Sequence, residues 1–375
     1  MKIIIDDKIP YIKGAFEEVA EVIYLPGSKT TPEIVKDADA IVTRTRTICN
    51  KELLNGSTVK FIATATIGYD HIDTDYCEKA GITWTNAPGC NSKSVEQYIA
   101  SVLMVLADRK KLQLKDLCIG VVGVGNVGSK VAAVCNLLGM KVLLNDPPRE
   151  RAEGSTAFVS LQQVVEEADI ITLHVPLNLK GEDATFHLGN EAFLTSLKRK
   201  PILINSCLGE VIETNAVKTA LKTGKLSGFV CDCWENEPNI DLELLDLTEL
   251  ATPHIAGYSK DGKATGTRMS VLAISNYFGL GLNNWQPKGV ELPDHPFIIL
   301  DGTGKSEQEI ISETILTTYD IRNDDQLFRN DPSLFEQLRG DYPTRREFPA
   351  FTIIPIHVGA DIIGILRKLG FKIKE

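Results

Sequence analysis

From Cys118 to Asp146 the chain reads CIGVVGVGNVGSKVAAVCNLLGMKVLLND, an order of residues that few folds can accommodate. Cys118–Val122 is an apolar, β-branched run of strand character. Gly123-Val124-Gly125-Asn126-Val127-Gly128 follows with G-x-G-x-x-G spacing. Val131, Val134, Cys135 and Leu138 then recur at helical spacing, Gly139 ends the helix, and Lys141–Asn145 is a second strand. Gly123 permits the tight turn, Gly125 lets backbone approach a pyrophosphate, and Gly128 lets helix and strand pack closely. Asn126 and Val127 lie in the turn before the new helix, Ser129–Leu138, whose N–H groups and positive dipole end attract phosphate. Asp146, eighteen positions beyond Gly128, stands where a carboxylate accepts the adenosine ribose hydroxyls. An ordinary glycine turn needs only part of this. The whole set in register predicts a dinucleotide site.

The remaining sequence alternates strands and helices. Ile3–Asp6, Val22–Leu25, Ala40–Thr43, Phe61–Thr64 and Ile82–Asn86 read as strands, with helices over Ala15–Ala20 and Thr31–Lys36. Ser94–Leu106 is a long apolar helix. Ile170–Pro176, Ile202–Ser206 and Phe229–Asp232 are continuous apolar strands of the kind buried on both faces of a parallel sheet. Thr267–Leu280 reads as a helix returning to the first domain. After Gln286-Pro287 the character changes, with strands at Phe297–Leu300 and Ala350–Ile356 among helices at Glu307–Tyr319, Ser333–Leu338 and Ala360–Leu369. The expected fold class is α/β, with two doubly wound parallel-sheet (Rossmann-like) domains and a C-terminal α+β domain. The boundaries are 1–93 plus 255–284 for a discontinuous substrate domain, 94–254 for the dinucleotide domain, and 285–375 for the tail. With no ligand motif of its own, that tail is expected to be an association module making a homodimer.

Bulk properties narrow the partners. At 375 residues the chain is too long for one simple core. A net charge of −10 argues against nucleic acid and against an anionic membrane surface. No apolar run approaches the roughly 18 residues of a membrane span. Met1-Lys2-Ile3-Ile4-Ile5-Asp6-Asp7 reads as a strand start rather than a signal peptide. Eight scattered cysteines, of which only Cys231-Asp232-Cys233 is close-spaced, suit reduced thiols in a cytoplasmic protein and make a poor zinc pattern, so no metal is expected.

Dinucleotide chemistry on an alcohol needs a group that takes the hydroxyl proton. Of six histidines, His254 is best placed: it follows a strand and Pro253, with Gly257 close behind. Glu237, on the loop after the preceding strand, is positioned to bond its far ring nitrogen and fix the tautomer. Arg44, Thr45, Arg46 and Thr66 fall at the carboxyl ends of strands, where ligands of such sheets gather.

These features together resemble the D-2-hydroxyacid dehydrogenase family: the glycine motif with Asp146, Asn205-Ser206, Asp232 through Glu237-Pro238, and Thr252-Pro253-His254. The tail narrows the resemblance. Tyr319 through Asp325, Leu338-Arg339, Tyr342, Arg345-Arg346-Glu347 and Leu366 through Phe371 look like the dimerisation domain of the branch that oxidises 4-phospho-D-erythronate. The resemblance implies oxidation of that phosphorylated hydroxy acid to its 2-oxo acid with NAD, a step in pyridoxal 5′-phosphate (pyridoxine) biosynthesis. It implies His254 as acid/base with Glu237, Thr45, Thr66 and Tyr258 on the substrate, and Asp146, Val175, Asp232 and Gly257 on the cofactor. Thr45 stands where relatives have serine and keeps the hydroxyl.

One position departs. The family carries an arginine for the substrate carboxylate after the strand ending at Ser206, and the matching residue here is Leu208. No arginine or lysine lies between Ser206 and Asn215. Another arginine substitutes, or activity is weak, or the substrate differs. Arg44 and Arg46 are candidates for the first case, Arg268 a poorer one. Arg44, Arg46 and Arg345-Arg346 are candidates by charge for the 4-phosphate. The alternatives to the main reading are a dehydrogenase for another 2-hydroxy acid and an NAD-binding regulatory protein.

Overall fold

A computed structural model describes residues 1–374 and divides into two compact units, Met1–Asn91 with Ser259–Glu291, and Ser92–Tyr258 with the chain from Leu292 onward.

The first unit holds five parallel strands, β1 (Lys2–Asp6), β2 (Glu21–Leu25), β3 (Ala40–Thr43), β4 (Phe61–Thr64) and β5 (Thr83–Thr85), in the order β2-β1-β3-β4-β5. β3 and β4 are buried at every position, as strands covered on both faces must be. The predicted helix over Ala15–Ala20 is instead a series of turns. Gly14 adopts φ +84°, and the Glu17 carboxylate accepts from the backbone N–H of Gly14 and Phe16, so those donors go to a side chain rather than to a helix. The helix predicted to begin at Thr267 begins at Lys260, capped by Ser259 through the Gly262 N–H. Gly262 and Gly266 made its first turns look unhelical. At Gly266 a Cβ would stand 2.7 Å from the Ala65 carbonyl oxygen, so glycine there allows close packing on the end of β4.

The second unit holds six parallel strands, β6 (Cys118–Val122), β7 (Lys141–Asn145), β8 (Ile170–Leu173), β9 (Ile202–Asn205), β10 (Gly228–Cys231) and β11 (Leu250–Ala251), in the order β11-β10-β9-β8-β6-β7. The order reverses beside β6, the strand that feeds the glycine turn, and such a switch point is where ligands bind outside the strand ends. The C-terminal region adds a three-stranded parallel sheet, β12 (Phe297–Asp301), β13 (Thr352–Ile356) and β14 (Lys372–Ile373), in that order. Its inner residues Ile298, Leu300, Ile353 and Leu366 share one core with Val102, Leu106 and Val131. Tyr98, Ile99, Leu103 and their neighbours on the helix Ser92–Lys110 are buried in that same core. At roughly 1.5–3 kcal/mol for each large apolar side chain buried, this shared core ties the small sheet to the nucleotide region. The helix Ile321–Asn330 had no apolar stripe to announce it. Asp320 caps it, and only Ile321, Asp325 and Phe328 are buried.

Candidate active site

The loops after β10 and β11 are organised by one carboxylate. Asp232 is 1% exposed, and its Oδ1 accepts from Thr252 Oγ1 at 2.6 Å and Ile255 N at 2.7 Å. Its Oδ2 accepts from Ala256 N at 3.0 Å, while the His254 N–H donates to the Asp232 carbonyl at 2.8 Å. Burial raises the Asp232 pKa, against the His254 charge and these hydrogen bonds. The resemblance gives Asp232 to the cofactor; here its side chain binds the chain's own backbone and holds the loop from Thr252 to Ala256.

That loop carries His254 at φ +55°, a left-handed conformation uncommon for residues other than glycine. Strain of this kind persists where the surroundings over-determine it. The ring Nδ1 lies 2.7 Å from Glu237 Oε2, and Glu237 Oε1 accepts from the Trp234 N–H at 2.7 Å. Glu237 therefore fixes the ring, and among the described residues Nε2 has no hydrogen-bond partner. Burial disfavours the imidazolium, but the Glu237 hydrogen bond and the charges of Asp232 and Glu237 outweigh it, raising the His254 pKa above the ordinary value. Cys233 Sγ lies within 4.8 Å of the ligand atoms of this pair. Burial, then the Asp232 and Glu237 charges, hold that thiol protonated.

The glycine turn takes the form the spacing requires. Gly123 has φ +85°, and its N–H bonds the Asn145 carbonyl at 2.8 Å. A Cβ on Gly128 would lie 1.9 Å from the Gly123 carbonyl oxygen, whereas one on Gly125 would meet nothing within 4 Å. Gly125 and Asn126 are exposed at the tip, Val127 is half-buried, and Gly128 begins the helix Gly128–Leu137. Asp146 caps the helix Pro147–Glu153 through the Arg149 N–H at 3.1 Å and accepts from the Val124 N–H at 2.8 Å. It is thereby pinned beside the turn. Val175 packs on Gly123, and Ser206 Oγ and His174 Nδ1 are buried with no hydrogen-bond partner among the described residues. Burial alone lowers the His174 pKa to about 3, so this ring is neutral. An open glycine tip, a fixed carboxylate and orphaned buried polar atoms at the strand ends fit a dinucleotide.

Leu208 is held as tightly as the residues around it. The Asn205 side-chain amide donates to the Leu208 and Cys233 carbonyls, both at 3.0 Å. At Gly209 a Cβ would lie 1.9 Å from the Trp234 carbonyl oxygen, so the two loops touch through backbone. The Leu208 side chain is half-buried in the apolar cluster of this sheet, beside no cation of its own loop.

In the other unit, Thr45 is exposed just past β3 and Thr66 follows β4. Thr66 Oγ1 lies 2.7 Å from Thr64 Oγ1 and donates to the Gly68 carbonyl at 2.8 Å. Arg44 donates to the Lys8 carbonyl at 2.9 Å, and Arg46 lines a surface hollow with Gly27, Ser28 and Asn50. Arg345 is 5% exposed. It donates to Gln97 Oε1 at 3.0 Å and to the Ile255 and Ala256 carbonyls at 3.4 and 3.3 Å, with Tyr319 stacked 3.8 Å away, which commits it to the loop behind His254. Gly257 and Tyr258 close that loop, and the Tyr258 N–H bonds the Ile255 carbonyl at 2.9 Å. The structuring roles of Asp232 and Arg345 had no sequence signal, because each depends on carbonyls and amides that only the fold brings to it.

A doubly wound sheet with this glycine cradle and a carboxylate-oriented histidine defines a nucleotide-dependent dehydrogenase. Residues 95–256 match the family described as D-isomer specific 2-hydroxyacid dehydrogenase, NAD binding domain, and residues 292–370 match one described as a domain of unknown function. An erythronate-4-phosphate dehydrogenase of Bacteroides fragilis is 54% identical over 94% of this chain and 99% of its own length. One of Photorhabdus laumondii is 41% identical over 94% of each. The chain belongs to the erythronate-4-phosphate dehydrogenase family. Among solved structures, D-lactate dehydrogenase from Aquifex aeolicus, complexed with NAD and lactic acid, aligns with a TM-score of 0.57 at 28% identity. That alignment covers 75% of this chain and 96% of that one. D-2-hydroxyisocaproate dehydrogenase aligns at 0.61 and 24% identity over 75% and 98%, a likeness of fold.

Proposed function

We propose that this protein oxidises 4-phospho-D-erythronate to its 2-oxo acid with NAD, and that His254 Nε2 takes the proton of the C2 hydroxyl. The 2.7 Å bond from His254 Nδ1 to Glu237 carries the reading, because it leaves the opposite nitrogen as the base. Gly125, Asn126, Val127 and Asp146 would hold the dinucleotide, with backbone at Val175 and Gly257. When bound, NAD supplies the hydride acceptor for C2. Glu237 stabilises the imidazolium that proton transfer creates, and Asp232 keeps the histidine loop in place. Thr45, Thr66 and Tyr258 are the substrate contacts. In the reverse direction the imidazolium returns the proton to the oxo oxygen. NADH formation from 4-phospho-D-erythronate, 3-phosphoglycerate and D-lactate, each with NAD, tests this. The first should be oxidised with a specificity constant at least about tenfold above the others, and equal or lower efficiency on it would overturn the assignment. A second reading, oxidation of another 2-hydroxy acid, draws on Leu208, and the same panel decides it.

The homodimer is part of this reading. β12 alternates exposed and buried residues, and its outer face carries Phe297 at 62% and Ile299 at 67% exposure, with Ile356 of β13 at 40%. β12 is an edge strand. A large apolar face on an edge strand is what a second copy of the chain would cover.

A further inference from the structure

Leu208 leaves the substrate carboxylate without the cation that the resemblance places there. One arginine of the same compact unit stands near His254 with donors to spare. Arg339, on the short helix Phe335–Gly340, has its guanidinium carbon 5.9 Å from the Tyr258 ring centroid and 5.7 Å from that of Phe335. Tyr258 closes the turn that begins at Ile255, directly after His254. Arg339 Nη1 donates to Glu336 Oε1 at 3.0 Å. Its Nε is buried without an acceptor, and among the described residues Nη2 has none either. Burying a donor unpaired is costly, so this edge of the guanidinium is built for an acceptor that the described residues do not supply. Nε and Nη2 form the side of the fork that matches the two oxygens of a carboxylate. The neighbouring cations are already committed: Arg345 to Gln97 and backbone carbonyls, and Arg329 to Asp325 and the Leu245 carbonyl. The charge of Arg339 also reaches the pair, opposing protonation of His254.

We infer that Arg339 of the C-terminal region binds the C1 carboxylate of the substrate through Nε and Nη2, the contact that Leu208 cannot make. The inference rests on the hydroxy-acid oxidation proposed above. It places a substrate-binding residue in a region otherwise assigned to association, and it explains how a leucine is tolerated at position 208.

The test uses the full-length protein with four readouts. Arg339→Gln should lower kcat/KM for 4-phospho-D-erythronate at least about 30-fold, as expected for loss of a close charge pair. Arg339→Lys, which keeps the charge but not the fork, should lose less. Unphosphorylated D-erythronate should show the same fold-loss; a loss confined to the phosphorylated substrate would mean that Arg339 binds the phosphate and would overturn the assignment. Oxalate, a carboxylate ligand lacking phosphate, should perturb the fluorescence of enzyme-bound NADH in wild type and at least about tenfold more weakly in Arg339→Gln, while NADH affinity and thermal midpoint stay unchanged. An equal fall in NADH affinity would mark a structural role and overturn the proposal. Adding Leu208→Arg to Arg339→Gln should restore most of the activity, because it returns a cation to the family position. If wild type fails to oxidise 4-phospho-D-erythronate, the function falls, yet the oxalate titration still judges Arg339. If Arg339→Gln keeps wild-type efficiency and oxalate affinity, the inference falls alone.

Discussion

His254 combines the proposed base with a strained backbone, and the two can be separated experimentally. At φ +55° alanine would add conformational cost, so the better variant is His254→Asn, since asparagine tolerates this region. It should reduce turnover by about 10²–10⁴ with NADH affinity unchanged, read from initial rates and fluorescence titration. Retention of most activity would require another base. The sign of the pH effect follows from the causes at this residue. Oxidation needs the neutral ring, and Glu237 raises its pKa, so the acid limb of kcat/KM lies above that of an unassisted histidine. Glu237→Gln removes the charge and should move that limb to lower pH while lowering the plateau. An unmoved limb would show that another group sets it. At the ribose end, Asp146 is held by the Val124 and Arg149 N–H groups, and the Arg149 guanidinium is engaged by Glu153. Asp146 would repel a 2′-phosphate at close range, so kcat/KM should favour NAD over NADP by about a hundredfold, and Asp146→Ser should narrow that ratio at least tenfold. Comparable constants in wild type would contradict this. The pairing of His254 with Glu237 and the place of Asp146 beside the glycine turn were legible in the sequence, because their spacing to strands and glycines is fixed by the fold. In the sequence Arg339 stands only within the tail motif Leu338-Arg339. Its place beside Tyr258 depends on how the C-terminal region packs, which no local pattern encodes.

At the scale of elements, the glycine turn is the part the sequence specified most fully, and its glycines do separate jobs. Gly128 has no room for a Cβ because the Gly123 carbonyl occupies the space, whereas Gly125 opens outward. Gly128→Ala should therefore lower the thermal midpoint by several degrees as well as abolish NADH binding, since overpacking against backbone costs about 1–3 kcal/mol or more. Gly125→Ala should leave the midpoint within about a degree of wild type and weaken NADH alone, because its methyl intrudes only where the pyrophosphate approaches. Differential scanning fluorimetry beside NADH titration distinguishes them, and equal destabilisation would refute the division. Buried strands were equally legible, because parallel strands covered on both faces are continuous apolar runs. Elements governed by side-chain capping were not. Glu17 pulled 15–20 into turns, and Asp320 caps a helix in a run of mostly polar residues.

At the scale of the molecule, the C-terminal region cannot be treated as a removable module. Asp325 accepts from the Ala251 N–H at 2.7 Å, and Arg329 binds the Leu245 and Thr248 carbonyls. Arg345 holds the carbonyls behind His254, and Ile298, Leu300 and Ile353 complete the core beneath the nucleotide sheet. Deleting it would expose that core and loosen the histidine loop, so loss of activity in a truncated chain would say nothing about association. A surface substitution asks the question cleanly. Phe297 and Ile299 point away from the shared core, and in register with them lie Thr352 and Ile354 of β13. If a second copy covers this face, each of the two large side chains contributes roughly 1.5–3 kcal/mol to association. A charge in their place would have to be buried unpaired. Ile299→Asp should therefore shift the protein from dimer to monomer in sedimentation velocity at micromolar concentration, with its thermal midpoint lowered only by the loss of association. NADH binding should persist, since the glycine turn lies on another sheet. A dimer that survives both Ile299→Asp and Phe297→Asp would place the interface elsewhere on the molecule, and β12 would then be an exposed edge with no partner of its own kind.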